Sequence, residues 1–356
     1  AQCGGVLLFA SSIDGNGQLV PIAIAHVPIE NNEPWRWFLQ LLSRSLSLDR
    51  QDVVVMSDRE KGLSGVVEDV LPACFHAFCV RHIIKNFMSI CKVDLSKTIW
   101  SAATTHSKKR FKQLFDVIKT ASLKGYLYLE NIKPERWANS HFPVRRYGHL
   151  TSNVAESCNA MMKDVRKLFP LNAVNEFLIK VSTLFGSRLN EHTSSPSMLP
   201  DKVIEKIKSA VEIGSGLSVR RMTDSVFVVT RVGNGEKRRV VNISEKTCTC
   251  KWYQEHGIPC YHACAVMLKH GIPAEDLCLD VVKTETLVRL YSGTVLPIDS
   301  DDLEEVTLIP PEVPKKIGRP RGKRIKNHLE KNPRGKNRCS LCGTVGHNKR
   351  TCPGIK

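Results

Sequence analysis

The chain has 356 residues, of which 42% are hydrophobic, enough to build two or three domain cores. Its net charge is +17, but residues 314–356 hold fourteen Lys and Arg against the single acid Glu330, which leaves about +4 for the rest. The chain contains no apolar run of about eighteen residues and no signal peptide, which argues against membrane-spanning and secreted disulfide-rich proteins. We therefore expect a soluble intracellular protein with reduced thiols and a polyanion-binding tail. Because it opens on Ala1 in a strand-like run, we expect a fragment or a truncated gene product.

The pattern of residues 1–94 predicts an α/β fold, a mixed sheet with helices packed on it. Two β-like runs, 6–11 and 19–27, flank Asp14-Gly15-Asn16-Gly17, a turn sequence that tolerates positive φ and predicts a hairpin. A helix starts near Asn31, a strand follows at 53–56, and a helix, a strand and a third helix come after it. The first helix has a broad apolar face, and the strand is apolar without alternation, which predicts burial on both of its faces. The apolar face of the helix comprises Trp35, Phe38, Leu39, Leu41, Leu42 and Leu46.

Asp58 stands where the third strand is expected to end. Carboxylates at the carboxyl ends of buried strands are common metal ligands, because the sheet is rigid and the loops leave room. For one aspartate in isolation, a capping acid of the next helix is the favoured interpretation. Cys79 and His82 share one face of a helix start. Spacing alone favours a buried thiol and a satisfied histidine there, since a zinc ion would need two more ligands.

The middle of the chain is expected to be helical. Residues 95–145 predict a helical insertion whose apolar positions are Trp100, Phe111, Leu114, Phe115, Ile118 and Trp137. In 146–215, Ser152 or Asn153 can cap a helix that carries Glu156 in its first turns. Further helices are predicted at 173–191 and 201–212. This arrangement places a second acid on a rigid element.

A small zinc module is predicted over 216–275. Two strands at 226–232 and 239–243 form a hairpin that leads into the pattern Cys248-x-Cys250-x9-Cys260-x-His262. Three thiolates and an imidazole suit a structural zinc ion in tetrahedral geometry. A helix is expected at 261–270, and Cys264 and Cys278 are interpreted as buried thiols. The pattern resembles the SWIM zinc finger.

Residues 276–335 read as a linker, first acidic and then basic. Its segment Gly318-Arg319-Pro320-Arg321-Gly322-Lys323-Arg324 resembles the AT-hook core, which lies in the minor groove of A·T-rich DNA. Arg319, Arg321, Lys323 and Arg324 are therefore candidate DNA-binding residues. A disordered tail or a nuclear import signal is an equally favoured and compatible alternative.

A second zinc set closes the chain in 336–356. Cys339, Cys342, His347 and Cys352 have the spacing of a compact CCHC knuckle of the kind that binds single-stranded nucleic acid. Knuckles also bind proteins, and this one lacks the aromatic residues that stack on bases. Two zinc ions per chain are expected.

Several motifs together resemble the Mutator-like element (MULE) transposases of plants. They are the Asp14–Ala23 run, Asn31-Asn32-Glu33-Pro34-Trp35, Ser57-Asp58-Arg59, Cys79-x2-His82 and Arg146-Tyr147-Gly148-His149 through Ser157, followed by the finger and the knuckle. The resemblance implies an RNase H-like fold whose DDE active site is interrupted by a helical insertion. Asp58 then matches the second acid, Glu156 the third, and Cys79 and His82 a recurrent pair in the family.

The residue types suit this chemistry. Phosphodiester cleavage and strand transfer use two divalent metals held by hard oxygen ligands, here Mg²⁺ or Mn²⁺. We therefore expect the Asp58 and Glu156 carboxylates to converge. The family's first acid lies on a strand upstream of Gly4, and Asp14 matches a different family position. An incomplete triad and a missing first strand are therefore expected.

The sequence predicts a transposase-derived nuclear protein that binds DNA, either transposon ends or A·T-rich duplex, and that can act as a homo-oligomer. Its ancestral reaction would be Mg²⁺-dependent DNA cleavage and joining of the 3′-hydroxyl end. One alternative is a domesticated, non-catalytic transcriptional regulator like the far-red-impaired-response proteins. Another is a zinc-dependent module that binds RNA or protein.

Overall fold

A computed structural model describes residues 5–58, 63–231 and 238–299, together with Cys339, Cys342 and Cys352. The contacts divide the chain into one unit over 1–304 and another over 305–356. All the helices and strands described below belong to the first unit. Within the described part of the chain, no helix combines the length and apolarity that crossing a bilayer requires.

The first third of the chain has the element order that the sequence predicts. β1 and β2 form an antiparallel hairpin with a register shift between Ala10 and Ser11, whereas β3 and β4 are parallel. Asn31 caps the first helix by accepting a hydrogen bond from the amide of Glu33. The elements are β1 Val6–Ile13, β2 Leu19–Val27, α1 Asn32–Leu46, β3 Val54–Ser57, α2 Leu63–Val70, β4 Phe75–Phe78 and α3 Val80–Cys91.

The strands do not join into the one mixed sheet that was predicted. Among the described residues, β1 pairs with β2 and β3 pairs with β4, as two separate two-stranded sheets. They nevertheless share one core, in which Leu8, Val27, Phe38 and Val66 are buried and Val55 is half-buried. All four residues of β3 are only half-buried, so the expected burial on both faces is wrong. Over the described ranges β3 pairs with β4 alone, so its other edge has no neighbouring strand there whose side chains would help to cover it.

The apolar face of α1 is narrower than the sequence indicates. Phe38, Leu39 and Leu42 are buried, but Leu41 and Leu46 are exposed. A helix that packs on a two-stranded ribbon covers only one stripe of its surface, so the flanking leucines stay in contact with water.

The predicted helical insertion forms α4 Ser96–Thr104, α5 Lys108–Ala121 and α6 Leu123–Ile132, followed by a 3₁₀ turn at Pro134–Arg136. The fully buried Trp137 packs against the rings of Phe111 and Phe115, with centroids 5.8 and 6.2 Å away. Trp100, one of the six apolar positions of the predicted insertion, is 42% exposed. Residues of β4 and α3 belong to the same hydrophobic cluster, which makes the insertion continuous with the first sheets.

The rest of the first unit contains the helices predicted at 173–191 and 201–212 and a four-stranded antiparallel sheet. The strand β5 was not predicted, because two of its five residues are arginines and most of it is exposed at the sheet edge. The elements are α7 Asn153–Met161, α8 Pro170–Thr193, α9 Asp201–Gly214, β5 Leu217–Arg221, β6 Val226–Arg231, β7 Arg238–Asn242, β8 Thr247–Cys248, α10 Trp252–His256, α11 Tyr261–His270, α12 Ala274–Leu277 and α13 Thr284–Tyr291.

The predicted linker 276–335 starts later than expected, because α13 packs against the N-terminal hairpin. The Tyr291 hydroxyl donates to Asp14 Oδ2 at 2.6 Å, and Arg188 Nη1 of α8 donates to the same hydroxyl at 2.7 Å. Asp14 Oδ1 also accepts the amides of Asn16 and Gln18 within its own turn. One buried carboxylate therefore joins the start of the chain to the helix that follows the zinc module.

Candidate metal centres

The four predicted ligands of the SWIM-like pattern converge on one point. Cys248 ends β8, Cys250 follows it, Cys260 precedes α11, and His262 lies in the first turn of that helix. Their ligand atoms all lie within 4.8 Å of one another, and three of the four residues are buried. The short helix α10 lies in sequence between the two ligand pairs.

The geometry fits a tetrahedral zinc ion. The sulfur atoms of Cys248 and Cys260 each lie 3.8 Å from His262 Nδ1. In a tetrahedral site with ordinary zinc–sulfur and zinc–nitrogen bonds, a sulfur and a nitrogen ligand are about 3.6 Å apart. The thiols of Cys248 and Cys260 also lower the pKa of Cys250 by hydrogen bonding to it. This group of four can therefore hold zinc through Nδ1 of the histidine.

Neighbouring polar groups orient the ligands. The Gln254 side-chain oxygen accepts the amide of Cys248 at 3.1 Å. The buried Tyr253 hydroxyl donates to the carbonyl of Leu277 at 2.6 Å, which ties α10 to α12. Such outer contacts hold ligands in place before the metal binds. The predicted burial of Cys264 and Cys278 is confirmed, since both are fully buried, and burial raises the pKa of each thiol to about 12.

The second zinc set belongs to the unit over 305–356. Cys339, Cys342 and Cys352 have sulfur atoms within 4.8 Å of one another. Its fourth predicted ligand, His347, lies outside the described residues. The three sulfurs are compatible with the predicted knuckle, in which a histidine completes the set.

Asp58 directly follows β3, as predicted. The hydroxyl of Ser57 donates to the carbonyl of Asp58 at 2.7 Å and lies 2.9 Å from His76 Nε2. Because the single proton of the hydroxyl goes to that carbonyl, Nε2 of His76 is the donor of this contact. Burial, with a smaller contribution from nearby Arg136, lowers the pKa of His76 from 6.5 to about 4. A neutral buried histidine therefore fixes the end of β3.

Cys79 connects the Asp58 strand end to the Glu156 helix. Its amide donates to the carbonyl of Ser57 at 3.0 Å, one residue before Asp58. Its sulfur accepts the amide of Ser152, the residue that precedes α7, at 3.3 Å. The two acids, 98 positions apart in sequence, therefore lie on elements that contact the same buried cysteine.

Glu156 lies in the first turn of α7, as predicted, and its carboxylate is ion-paired. Arg81 Nη1 of α3 donates to Glu156 Oε2 at 2.8 Å and to Asn153 Oδ1 at 3.1 Å. The side chains of Arg81 and Glu156 are 60% and 46% exposed. Solvent screens a pair of this exposure, so the ion pair contributes little to stability.

For the Cys79 and His82 pair, the prediction is half right. Cys79 is a buried thiol with a hydrogen bond, as expected. His82 is half-buried, and its Nδ1 atom has no hydrogen-bond partner among the described residues, so it is not the satisfied histidine that was expected. The described residues place no third metal ligand beside this pair.

The sequence reasoning missed Glu255 and Arg146. Glu255 Oε1 accepts the amides of Arg146 and Gly148 at 3.1 and 3.2 Å. Arg146 is itself buried and donates to the carbonyl of Trp137 and to the side chain of Asn139. Burial lowers the pKa of Arg146 to about 10, although Glu255 opposes the effect. The Arg146-Tyr147-Gly148-His149 motif could have drawn attention to Arg146, but no residue near it in sequence indicates that Glu255 is its partner.

The candidate DNA-binding residues Arg319, Arg321, Lys323 and Arg324 lie outside the described residues. Their assignment stays a prediction, like the AT-hook-like segment that contains them.

Comparison with protein families agrees with the resemblance. A MULE transposase domain matches residues 1–86, and a SWIM zinc finger matches residues 228–271. No curated protein gave a significant match. Asp58, Cys79 and His82 lie in the first range and the four converging zinc ligands lie in the second, whereas Glu156 lies in neither. The chain therefore carries a MULE transposase domain followed by a SWIM zinc finger.

Proposed function

We propose that this is a transposase-derived nuclear DNA-binding protein whose divalent-metal site is built on Asp58 and Glu156. The observation that carries the proposal is the pair of Cys79 hydrogen bonds that brings the end of β3 to the start of α7. An RNase H-like fold is part of the proposal. It is supported by an antiparallel hairpin, a parallel strand pair and a carboxylate at a strand end.

The chemistry follows from the ligand type. Two carboxylates at one site bind Mg²⁺ or Mn²⁺ through hard oxygen atoms. Such ions activate an attacking oxygen and stabilise the leaving oxygen of a phosphodiester. The residues of this chain contribute the charge and the placement: the His76–Ser57 contact holds the end of β3, and α7 presents Glu156 on a rigid helix.

The test is Mn²⁺ binding to the full chain, followed by electron paramagnetic resonance. We expect Asp58→Asn and Glu156→Gln each to weaken Mn²⁺ binding about tenfold or more, because each removes a charged oxygen ligand. Asp69→Asn is the matched control, since this exposed aspartate forms a surface ion pair with Arg36. Equal binding by all three variants would contradict the proposal.

The second candidate is a non-catalytic DNA-binding regulator. The observation that favours it is the Arg81–Glu156 ion pair, because an arginine on the carboxylate neutralises a metal ligand. In that case Arg81→Ala would create no Mn²⁺ affinity. In the metal-binding case the same variant should bind Mn²⁺ at least as tightly as the wild type, because the competing cation is gone.

DNA binding is proposed to reside mostly in the basic tail. Truncation after Val313 should remove most duplex binding, and the intact chain should lose affinity steeply with salt through counterion release.

Arg319→Ala with Arg321→Ala should reduce the preference for A·T-rich duplex, because minor-groove readout depends on inserted arginine. Lys323→Ala with Lys326→Ala should weaken all duplexes equally. The measurement is titration of both duplex types at several salt concentrations. If both double variants lost affinity equally for A·T-rich and G·C-rich duplexes, the AT-hook interpretation would be rejected.

A further inference from the structure

The segment before α7 makes a bend in an unfavourable backbone conformation. Tyr147 and Gly148 have φ values of 54° and 79°, in the left-handed region. Tyrosine rarely adopts this region, so the surroundings must hold it there. Glycine is required next, because a Cβ on Gly148 would lie 2.5 Å from His256 Nε2.

The SWIM module holds this bend. Both amides that flank Tyr147, those of Arg146 and Gly148, donate to a single oxygen of Glu255 on α10. A carboxylate that accepts two amides forms strong, charge-assisted hydrogen bonds. The Arg146 side chain fixes the other side of the bend, where it bonds to the carbonyl of Trp137 and stacks 4.4 Å from the ring centroid of Phe142.

The bend leads directly to the Glu156 helix. Leu150 accepts the amide of Val80 at 2.9 Å, and Ser152 then bonds to Cys79 before α7 begins at Asn153. The segment is therefore held by Glu255 at its start and by α3 at its end. A change of direction at Gly148 would move the first turn of α7.

We propose that Glu255 of the SWIM finger is a positioning residue that sets the path into α7 and so places Glu156. The functional meaning of this placement rests on the proposed metal site. The zinc ligands Cys250 and Cys260 flank α10 on both sides, so an intact finger is what presents Glu255. The SWIM finger thereby supports the transposase-domain site as well as its own fold.

The test is amide hydrogen exchange in the full chain. Glu255→Ala should speed exchange of amides 146–156 about tenfold or more, while α5 and the zinc content stay unchanged. Glu255→Gln should remain within about threefold of the wild type, because its amide oxygen can accept the same two bonds. The matched control is Glu245→Ala, an exposed acid in the turn between β7 and β8 of the same module. Unchanged exchange in Glu255→Ala, or faster exchange in α5 as well, would overturn the proposal.

Mn²⁺ titration separates this inference from the proposed function. If the wild type binds Mn²⁺, Glu255→Ala should weaken binding about tenfold and Glu255→Gln should restore most of it. Equal affinity of Glu255→Ala and the wild type would overturn the positioning role. If the wild type binds no Mn²⁺, the proposed metal site fails, and the exchange experiment still decides whether Glu255 holds the bend.

Discussion

Replacing Cys260 by serine is expected to remove one zinc ion per chain and to unfold the SWIM module. Cys260 is buried within the ligand group, where its sulfur lies 3.8 Å from His262 Nδ1, and a serine hydroxyl is not among the ligands that structural zinc sites use. Zinc binding by small fingers contributes about 10–16 kcal/mol at neutral pH, which equals or exceeds the stability of a typical domain at about 5–15 kcal/mol. The measurements are zinc content by elemental analysis and hydrogen exchange over residues 217–271.

The matched control is Cys264→Ala. Cys264 lies one turn further along α11 and is fully buried, but it belongs to the hydrophobic cluster rather than to the ligand group. Cys264→Ala should lower the free energy of unfolding by about 1–2 kcal/mol and leave the zinc content unchanged. Retention of the full zinc content by Cys260→Ser would show that the ligands of the finger have been misassigned.

Replacing Asp14 by alanine is expected to lower the free energy of unfolding by about 3–4 kcal/mol. The substitution leaves the Tyr291 hydroxyl and two backbone amides without their acceptor. The turn also loses its side-chain cap. Urea denaturation of the full chain measures the loss.

Two further variants sharpen this test. Asp224→Ala removes an acid from an exposed turn, where the side chain is 98% exposed, and should change stability by less than about 0.5 kcal/mol. Tyr291→Phe keeps the ring but removes the hydroxyl, and it should lower the free energy of unfolding by about 1–2 kcal/mol. An Asp14→Ala loss no larger than that of Asp224→Ala would show that the hairpin does not depend on α13. In the double variant, a coupling of about 1–2 kcal/mol between Asp14 and Tyr291 is expected.

The local parts of the candidate sites could be predicted from the sequence. The spacing of Cys248, Cys250, Cys260 and His262 defines a zinc ligand set whatever the surrounding fold, because four donors separated by short loops can reach one ion. Asp58 was found because it ends an apolar run, and Glu156 because Ser152 and Asn153, residue types that favour helix starts, precede it, although the Ser152 side chain makes no capping hydrogen bond. Each of these signals lies within a few residues of the group it identifies.

The errors have a common physical origin. Val53 to Met56 was expected to be buried on both faces, and Trp100 was counted among the apolar positions of the helical insertion, because both predictions used hydrophobicity alone. Burial depends on which elements pack beside a residue. In the part of the chain that the structure describes, β3 pairs with β4 alone, and the Trp100 side chain of α4 is 42% exposed.

The sequence by itself determined the element order at the start of the chain, the N-terminal hairpin and the ligands of the SWIM finger. Only the tertiary structure decided that Asp14 bonds to Tyr291, 277 positions away, and that Glu255 holds the amide of Arg146 across 109 positions. Periodicity, turn residues and ligand spacing act over a few residues and leave a pattern in the chain. A contact between distant residues leaves no such pattern, because it forms only when the packed elements bring one acceptor to its donors.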